Sequence, residues 1–564
     1  MELESRPGHS SHPGSRALIS LMKNINGVLS PFAMACVCAG GLCLMSCWGN
    51  GNIEPVPAPF TTSAVTTYHN DNARTGQNLN EVTLTPAKVH SLKFGLLFVI
   101  PADGRVEAQP LYLPNLTIAG QGTHNVLFIA TENASVYGID ADTGNGLWQV
   151  STLGVGESLA DDPACLGLIG TTSTPVIDPK AGPHGTIYVV TMSKDASGNQ
   201  HQRLHALDVT TGAEEFGGPK DIQAQYPGTG DNSSGGNVIF DPGQQLERPG
   251  LLLLNGVVYT SWGSHCDIRP YTGWLIGYDQ NTLAQVTVLN FAPNGSGGSL
   301  WMSGAGPAAD AIGNIYALDA NGAFDTALDA QGFPSGGDFG NAFLKISTTN
   351  KQLAVADYFE MMDQATENSK DLDLGSGGAL LLPDLTDNAG HTRHLAVGAG
   401  KDGMIYVVDR DSMGKFNPNA NNIYQEVQGA LAGKVFSTPA YFNNTVYFGA
   451  VGDTIKAFPI SKAQLSSAPA SQTPTALPYP GATPSISANG ASNAILWAAE
   501  NGNLAVLHAY DAGNLANELY NSNWAPDGRD HFGTGVSFFT PTIINGKVYV
   551  GTTAGVGVFG LTQP

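Results

Sequence analysis

The chain has 564 residues, 70 of them glycine, with 13% charged residues and a formal net charge of −22. Only 25 lysines and arginines are spread along it, which argues against a nucleic-acid partner, because phosphate backbones are held mainly by cationic side chains. Frequent Gly, Val, Thr, Tyr and Asn without a long helical pattern describe an all-β protein with many tight turns.

The first element in chain order is a leader. Met22-Lys23 precedes NINGVLSPFAMACVCAGGLCLMSC, a basic start and an apolar stretch too short and too rich in Gly for a membrane span. Residues 1–47 therefore read as an export signal. Leu44-Met45-Ser46-Cys47 resembles a bacterial lipobox, with Cys47 as the lipidated residue; plain cleavage and secretion is the alternative. The protein is expected to be exported, either as a periplasmic or outer-membrane lipoprotein or in secreted form, touching a membrane only through that anchor. Residues 48–66 are Pro-rich and read as a linker, leaving 67–564 as one β domain.

A unit of paired strands then recurs. It begins at Asn125 (NVLFIATENASVYGIDADTGNGLWQV), Thr186, Val257 and Asn314, and again at His394, Thr445, Ile495 and Lys547. A short strand with Pro precedes most copies, as in QPLYLP, TPVIDP and TPTII. Four strands per unit with alternating apolar residues predict an eight-bladed β-propeller of four-stranded antiparallel blades, with seven blades as the alternative. The last unit has three strands; LKFGLLFVI (92–100) is placed to supply its fourth and close the ring. The D-x-x-T-G turns at Asp140 and Asp208 are scaffolding, Asp bonding the turn backbone and Gly supplying positive φ. Trp148 is expected between blades.

Four of the six cysteines lie in the leader, leaving Cys165 and Cys266. In an oxidising compartment these can pair, a bridge worth roughly 4–5 kcal/mol on a chain-entropy account; two separate buried thiols are the alternative. There is no C-x-x-C-H haem motif, no H-E-x-x-H zinc helix and no G-x-S-x-G hydrolase elbow.

The D-x-x-T-G-x-x-x-W unit, its eight copies and the leader together resemble the quinoprotein dehydrogenases that bind pyrroloquinoline quinone (PQQ) on the axis of an eight-bladed propeller. TTYHNDNARTGQNLNEVTLTPAKVHSLKFGLLFVI, from Thr66, is similar to the opening of that family. PQQ is a planar tricarboxylate quinone, so it asks for an aromatic floor, a cation beside its carbonyls and a base for the alcohol.

The resemblance implies that Glu107 in VEAQPLYL contacts the quinone, that Trp301 in GSLWMSGAGPAAD is its floor and that Lys401 in AVGAGKDGMIYVVDRD is the cation at its oxygens. It implies Asp371 in DLDLGSGG as catalytic base. For a metal ion, Ca²⁺ or a lanthanide, it implies Asn321, Asp371 and Asp373 as ligands, with Asp267 standing loosely where the family has a Glu. If DLDLGSGG is extended, its two acids share a face.

The chain departs from the family at Asp319-Ala320, which replaces Thr-Gly ahead of the Asn, and in lacking the adjacent cysteines that roof the quinone. The function implied is an exported PQQ-dependent dehydrogenase for a small alcohol or polyol, passing electrons to a separate acceptor such as a cytochrome. The alternative is a non-catalytic propeller lipoprotein that binds proteins or glycans, since fold does not fix function.

Overall fold

The repeat folds as its alternation requires. In the first unit the strands Leu111–Ile118, Gly122–Ala130, Ser135–Asp140 and Gly146–Ser151 pair in order, the third wholly buried and the last half exposed. The structure, a computed structural model, describes residues 63–162 and 167–562. The leader with Cys47, most of the linker, and Cys165 lie outside the described residues.

Eight sheets of four or five strands follow one another among the described residues, with three small sheets of two or three strands beside them. Their inner strands are Leu111–Ile118, Val176–Asp178, Leu252–Leu254, Ala308–Ala309, Leu380–Leu381, Ala440–Phe442, Ser485–Asn489 and Thr542–Ile544. The last sheet takes its outer strand from Phe94–Pro101, which pairs antiparallel with Gly555–Leu561.

The turn chemistry is as expected. The Asp140 carboxylate accepts the N–H groups of Asp142 and Thr143 at 2.8 and 3.1 Å, and Gly144 has φ 77°. Asp208 does the same for Thr210 and Thr211. Polar tips of buried aromatics tie sheet to sheet: Trp148 Nε1 donates to Val209 O at 3.0 Å, Tyr188 OH to Gln280 O at 2.9 Å and Tyr447 OH to Ala512 O at 2.9 Å. Tyr549 OH donates to Ala141 O at 3.2 Å, which joins the last sheet to the first.

Residues 65–78 touch every inner strand, in sheet order, and Gln77–Asn78 pairs parallel with Ser485–Asn489. Val65 exchanges backbone bonds with Tyr112, and Thr66 O accepts from Ile177. Asn72 Nδ2 donates to Leu253 O while Asn72 O accepts from Ala309. Ala73, Thr75 and Gly76 carbonyls accept from Leu381, Tyr441 and Ile486, and Asn78 Nδ2 donates to Ile543 O. This segment runs past the inner strands of all eight sheets, accepting from an inner-strand N–H in six of them and donating to an inner-strand carbonyl in the other two. Arg74 pins it: fully buried, its guanidinium donates to Pro307 O at 2.9 Å, Thr67 Oγ1 at 2.7 Å and Tyr68 O at 2.8 Å. Gly306 makes room, since a Cβ there would meet Arg74 Nη2 at 2.8 Å.

The stretch DLDLGSGG is not extended. It follows a short helix, Gln364–Ser369, turns at Asp371 with φ 56° and enters a 3₁₀ turn over Leu374–Ser376. Its two acids are therefore brought together by a turn and not by strand alternation, both reaching the Lys401 ammonium. The Asp373 side chain is 6% exposed and that of Asp371 60% exposed.

Candidate functional site

Strand direction alone brings the candidate residues to one end of the sheets. Inner strands start at that end, so the residues just before them lie there: Glu107, Arg248, Trp301, Asp373 and Phe538. Second strands run antiparallel and finish there, so the turns after Val257–Ser264, Asn314–Leu318 and Leu395–Ala399 bring Asp267, Asn321 and Lys401. A cavity of about 250 Å³ opens among them, lined by Arg248, Trp301, Asp373, Lys401, Tyr479 and Phe538. Cys266 and Asp267 form another part of its wall.

Lys401 is the hub. Its Nζ lies 2.6 Å from Asp371 Oδ1, 2.7 Å from Asp373 Oδ2 and 5.7 Å from the centre of the Trp301 ring. Its backbone N–H donates to Asp373 O at 2.9 Å, fixing the lysine to the loop that carries the acids. Burial alone would lower the Lys401 pKa, but the Asp373 and Asp371 carboxylates outweigh it and hold the ammonium above its usual range. Burial raises the Asp373 pKa, an effect Lys401 and the Asn321 N–H only partly offset. Asn321 joins both acids: its N–H donates to Asp373 Oδ1 at 2.9 Å and its Nδ2 to Asp371 Oδ1 at 3.3 Å.

Trp301 is presented by a strained loop. Met302, Ser303 and Gly304 all have positive φ (39°, 49° and 91°), and Ser303 Oγ fastens the loop by donating to Ser376 O at 2.7 Å. Cys266, Asp267, Asp371 and Phe538 are left-handed as well. Such strain gathers where a loop must aim a side chain.

Glu107 is buried behind this wall, 3.3 Å from both Arg105 Nε and Arg248 Nη2. It bears on the cavity through Arg248. Asp267 Oδ1 accepts from Tyr271 OH at 2.8 Å. Cys266 is disulfide-bonded, while its expected partner Cys165 is outside the described residues.

Four residues were not singled out from the sequence: Arg248, Phe436, Tyr479 and Phe538. The rings of Trp301, Phe436, Tyr479 and Phe538 pack with centroids 5.6–6.2 Å apart, and the Arg248 guanidinium lies 5.3 Å from the Phe538 ring centre. A positional signal was present, because Glu107, Arg248, Phe436 and Phe538 each stand four residues before an inner strand.

The wall suits a flat, anionic guest: an aromatic face at Trp301 with cations Lys401 and Arg248 beside it. It suits a metal ion less well. Asn321 Oδ1 is buried without a hydrogen-bond partner, as a ligand oxygen would be. Yet among the described residues no three acidic, His or Cys side chains converge on a metal position. Both acids of DLDLGSGG are already held by Lys401.

No family model matches the chain, and no curated protein matches it. Solved structures do. A quinohemoprotein alcohol dehydrogenase from Pseudomonas putida HK5 superposes with a TM-score of 0.58 at 14% identity, covering 89% of this chain and 81% of that one. The quinohemoprotein alcohol dehydrogenase from Comamonas testosteroni gives 0.55 at 15% identity, with 88% and 80% covered. A europium-containing methanol dehydrogenase gives 0.53 at 13% identity, with 88% and 98% covered. At these identities the likeness is one of fold: this chain has the all-β, propeller-like architecture of those dehydrogenases.

Proposed function

We propose that the eight sheets are the blades of a closed propeller and that the chain is an exported quinoprotein dehydrogenase acting on an alcohol or polyol. The observation that carries this reading is the convergence of Arg248, Trp301, and the pair Asp373 and Lys401, from three consecutive sheets, on one cavity. Bound PQQ would supply a two-electron acceptor for the hydride of the carbinol carbon.

The chain's own residues account for the rest. The Trp301 face is the platform for a flat ring, and Arg248 is placed to meet its carboxylates. Lys401 holds positive charge where a reduced ring would carry negative charge, in a site whose dipoles are set before reaction. Asp373 takes the hydroxyl proton as the alcohol becomes a carbonyl; its raised pKa makes it a stronger base than an exposed carboxylate. This assigns the base to Asp373, which faces the cavity, in place of the solvent-turned Asp371. The segment 65–78 fills the interior of the sheets and limits water there. Electrons would leave to a separate acceptor such as a cytochrome. A Ca²⁺ or lanthanide ion beside the quinone would need Asn321, Asp371, Asp373 and Asp267 together, a set the site does not offer, and no step is assigned to it.

The test is to add PQQ to purified protein and follow quinone absorbance and dye-linked oxidation of primary and secondary alcohols. Saturable binding with turnover supports the reading; neither one contradicts it. One observation favours the other reading, a glycan-binding propeller: Tyr479 is 56% exposed at the rim of the four-ring cluster, where a sugar face could stack. Glycan binding without PQQ binding would establish it.

A further inference from the structure

We propose that the Lys401 ammonium is itself the cation of this site, standing where a metal ion would stand, so that the cavity takes its quinone without Ca²⁺ or a lanthanide. The inference rests on the quinone reading above but is carried by separate observations. The first is place. Lys401 Nζ sits between the two candidate metal-ligand acids, at 2.6 and 2.7 Å, and is only 10% exposed.

The second is charge. Lys434 Nζ lies 3.9 Å from Asp371 Oδ2, so the two carboxylates of the pair face two ammonium groups and carry no excess negative charge between them. A buried cation site needs such an excess, because hard ions are held by anionic oxygen donors.

The third is attachment. The backbone bond from Lys401 N–H to Asp373 O, at 2.9 Å, ties the lysine to the acid loop, and the Trp301 ring receives the ammonium from another side. Admitting a metal ion would mean expelling a group with two ion pairs and a ring contact. Asp267, the remaining acid of the wall, accepts from Tyr271 OH.

What the site loses by this exchange is Lewis acidity; what it keeps is a fixed positive charge at the edge of the ring platform. Two carboxylates in contact with the ammonium hold that charge in place. Lys401 thus acts as an electrostatic group.

Two titrations test this on the full-length mature protein. PQQ binding is followed by absorbance in EDTA, in Ca²⁺ and in La³⁺, and Tb³⁺ luminescence sensitised by tryptophan is followed without PQQ. The PQQ dissociation constant is expected to agree within about twofold in all three media, and wild-type protein to give no saturable Tb³⁺ signal. Lys401→Met, which uncovers Asp371, Asp373 and Asn321 Oδ1, is expected to gain a Tb³⁺ signal that disappears in Lys401→Met/Trp301→Phe. Tightening of PQQ binding by about tenfold or more on adding either ion, or a saturable wild-type Tb³⁺ signal, overturns the proposal. If PQQ binds in no medium, the dehydrogenase reading fails while the wild-type Tb³⁺ titration still decides this one. Should Lys401→Met fail to fold, the wild-type titrations decide alone.

Discussion

Replacing Arg74 by Met tests the internal circuit of residues 65–78. The guanidinium is fully buried and makes three bonds of 2.7–2.9 Å, to Pro307 O, Thr67 Oγ1 and Tyr68 O. Burial pulls its pKa down to about 10, so it stays charged at neutral pH. Met leaves three dry acceptors, each costing about 1–3 kcal/mol. Relief from burying a charge, a few kcal/mol, offsets part of that, and a net loss of about 3 kcal/mol remains.

The loss should appear as release of the segment. Among the amides that donate to its carbonyls, five lie beyond the first sheet: Ile177, Ala309, Leu381, Tyr441 and Ile486. About 3 kcal/mol is about a hundredfold in an opening equilibrium, so native-state hydrogen exchange at these five should speed up by that factor in Arg74→Met. Amides in the outer hairpins, such as those of Gly146–Ser151, should hold their rates. Unchanged protection at the five, or a uniform change everywhere, would refute the idea that Arg74 holds the segment in place.

Two further variants separate the acids of DLDLGSGG: Asp373→Asn should lower kcat/KM by about 10²–10⁴ with PQQ binding retained, while Asp371→Asn should stay within about fivefold. The reverse order in steady-state assays would return the base to Asp371. A third variant reads out a buried carboxyl outside the cavity. Glu360 is fully buried with both oxygens unpartnered, and burial, aided by Asp319, Glu367 and Asp363, pushes its pKa well up. The native state therefore keeps a proton that the unfolded chain gives up near pH ~4.3, and stability falls as pH rises above that value, by about 1.4 kcal/mol per unit. Glu360→Gln keeps the neutral shape and removes that slope. Denaturant midpoints at about pH 5 and about pH 6 should show the variant gaining on wild type as pH rises, and parallel curves would contradict it.

Much of the architecture was legible because a repeat announces itself. The strand units, the D-x-x-T-G turns at Asp140 and Asp208 and the strand expected at 92–100, found at Phe94–Pro101, fall where periodicity and turn chemistry place them. The circuit of residues 65–78 was not legible, since it is made largely of backbone bonds, which leave no side-chain pattern. Trp301, Asn321, Asp373 and Lys401 were found through motifs, and strand direction explains why they meet. Arg248, Phe436, Tyr479 and Phe538 come from loops of unlike sequence; a shared offset of four residues from the inner strands marks Arg248, Phe436 and Phe538, and nothing marks Tyr479. The acids of DLDLGSGG were misjudged in geometry. A period of two applies to a strand; here a left-handed Asp371 ahead of a 3₁₀ turn brings both carboxylates to Lys401 while leaving Asp371 exposed and Asp373 buried.

The most direct measurement is a crystal structure of the protein grown with PQQ in EDTA. The account predicts one quinone stacked on Trp301, its oxygens within hydrogen-bond reach of Lys401 Nζ and its carboxylates toward Arg248. A quinone bound elsewhere, or a cavity filled only by solvent at saturating PQQ, would contradict it.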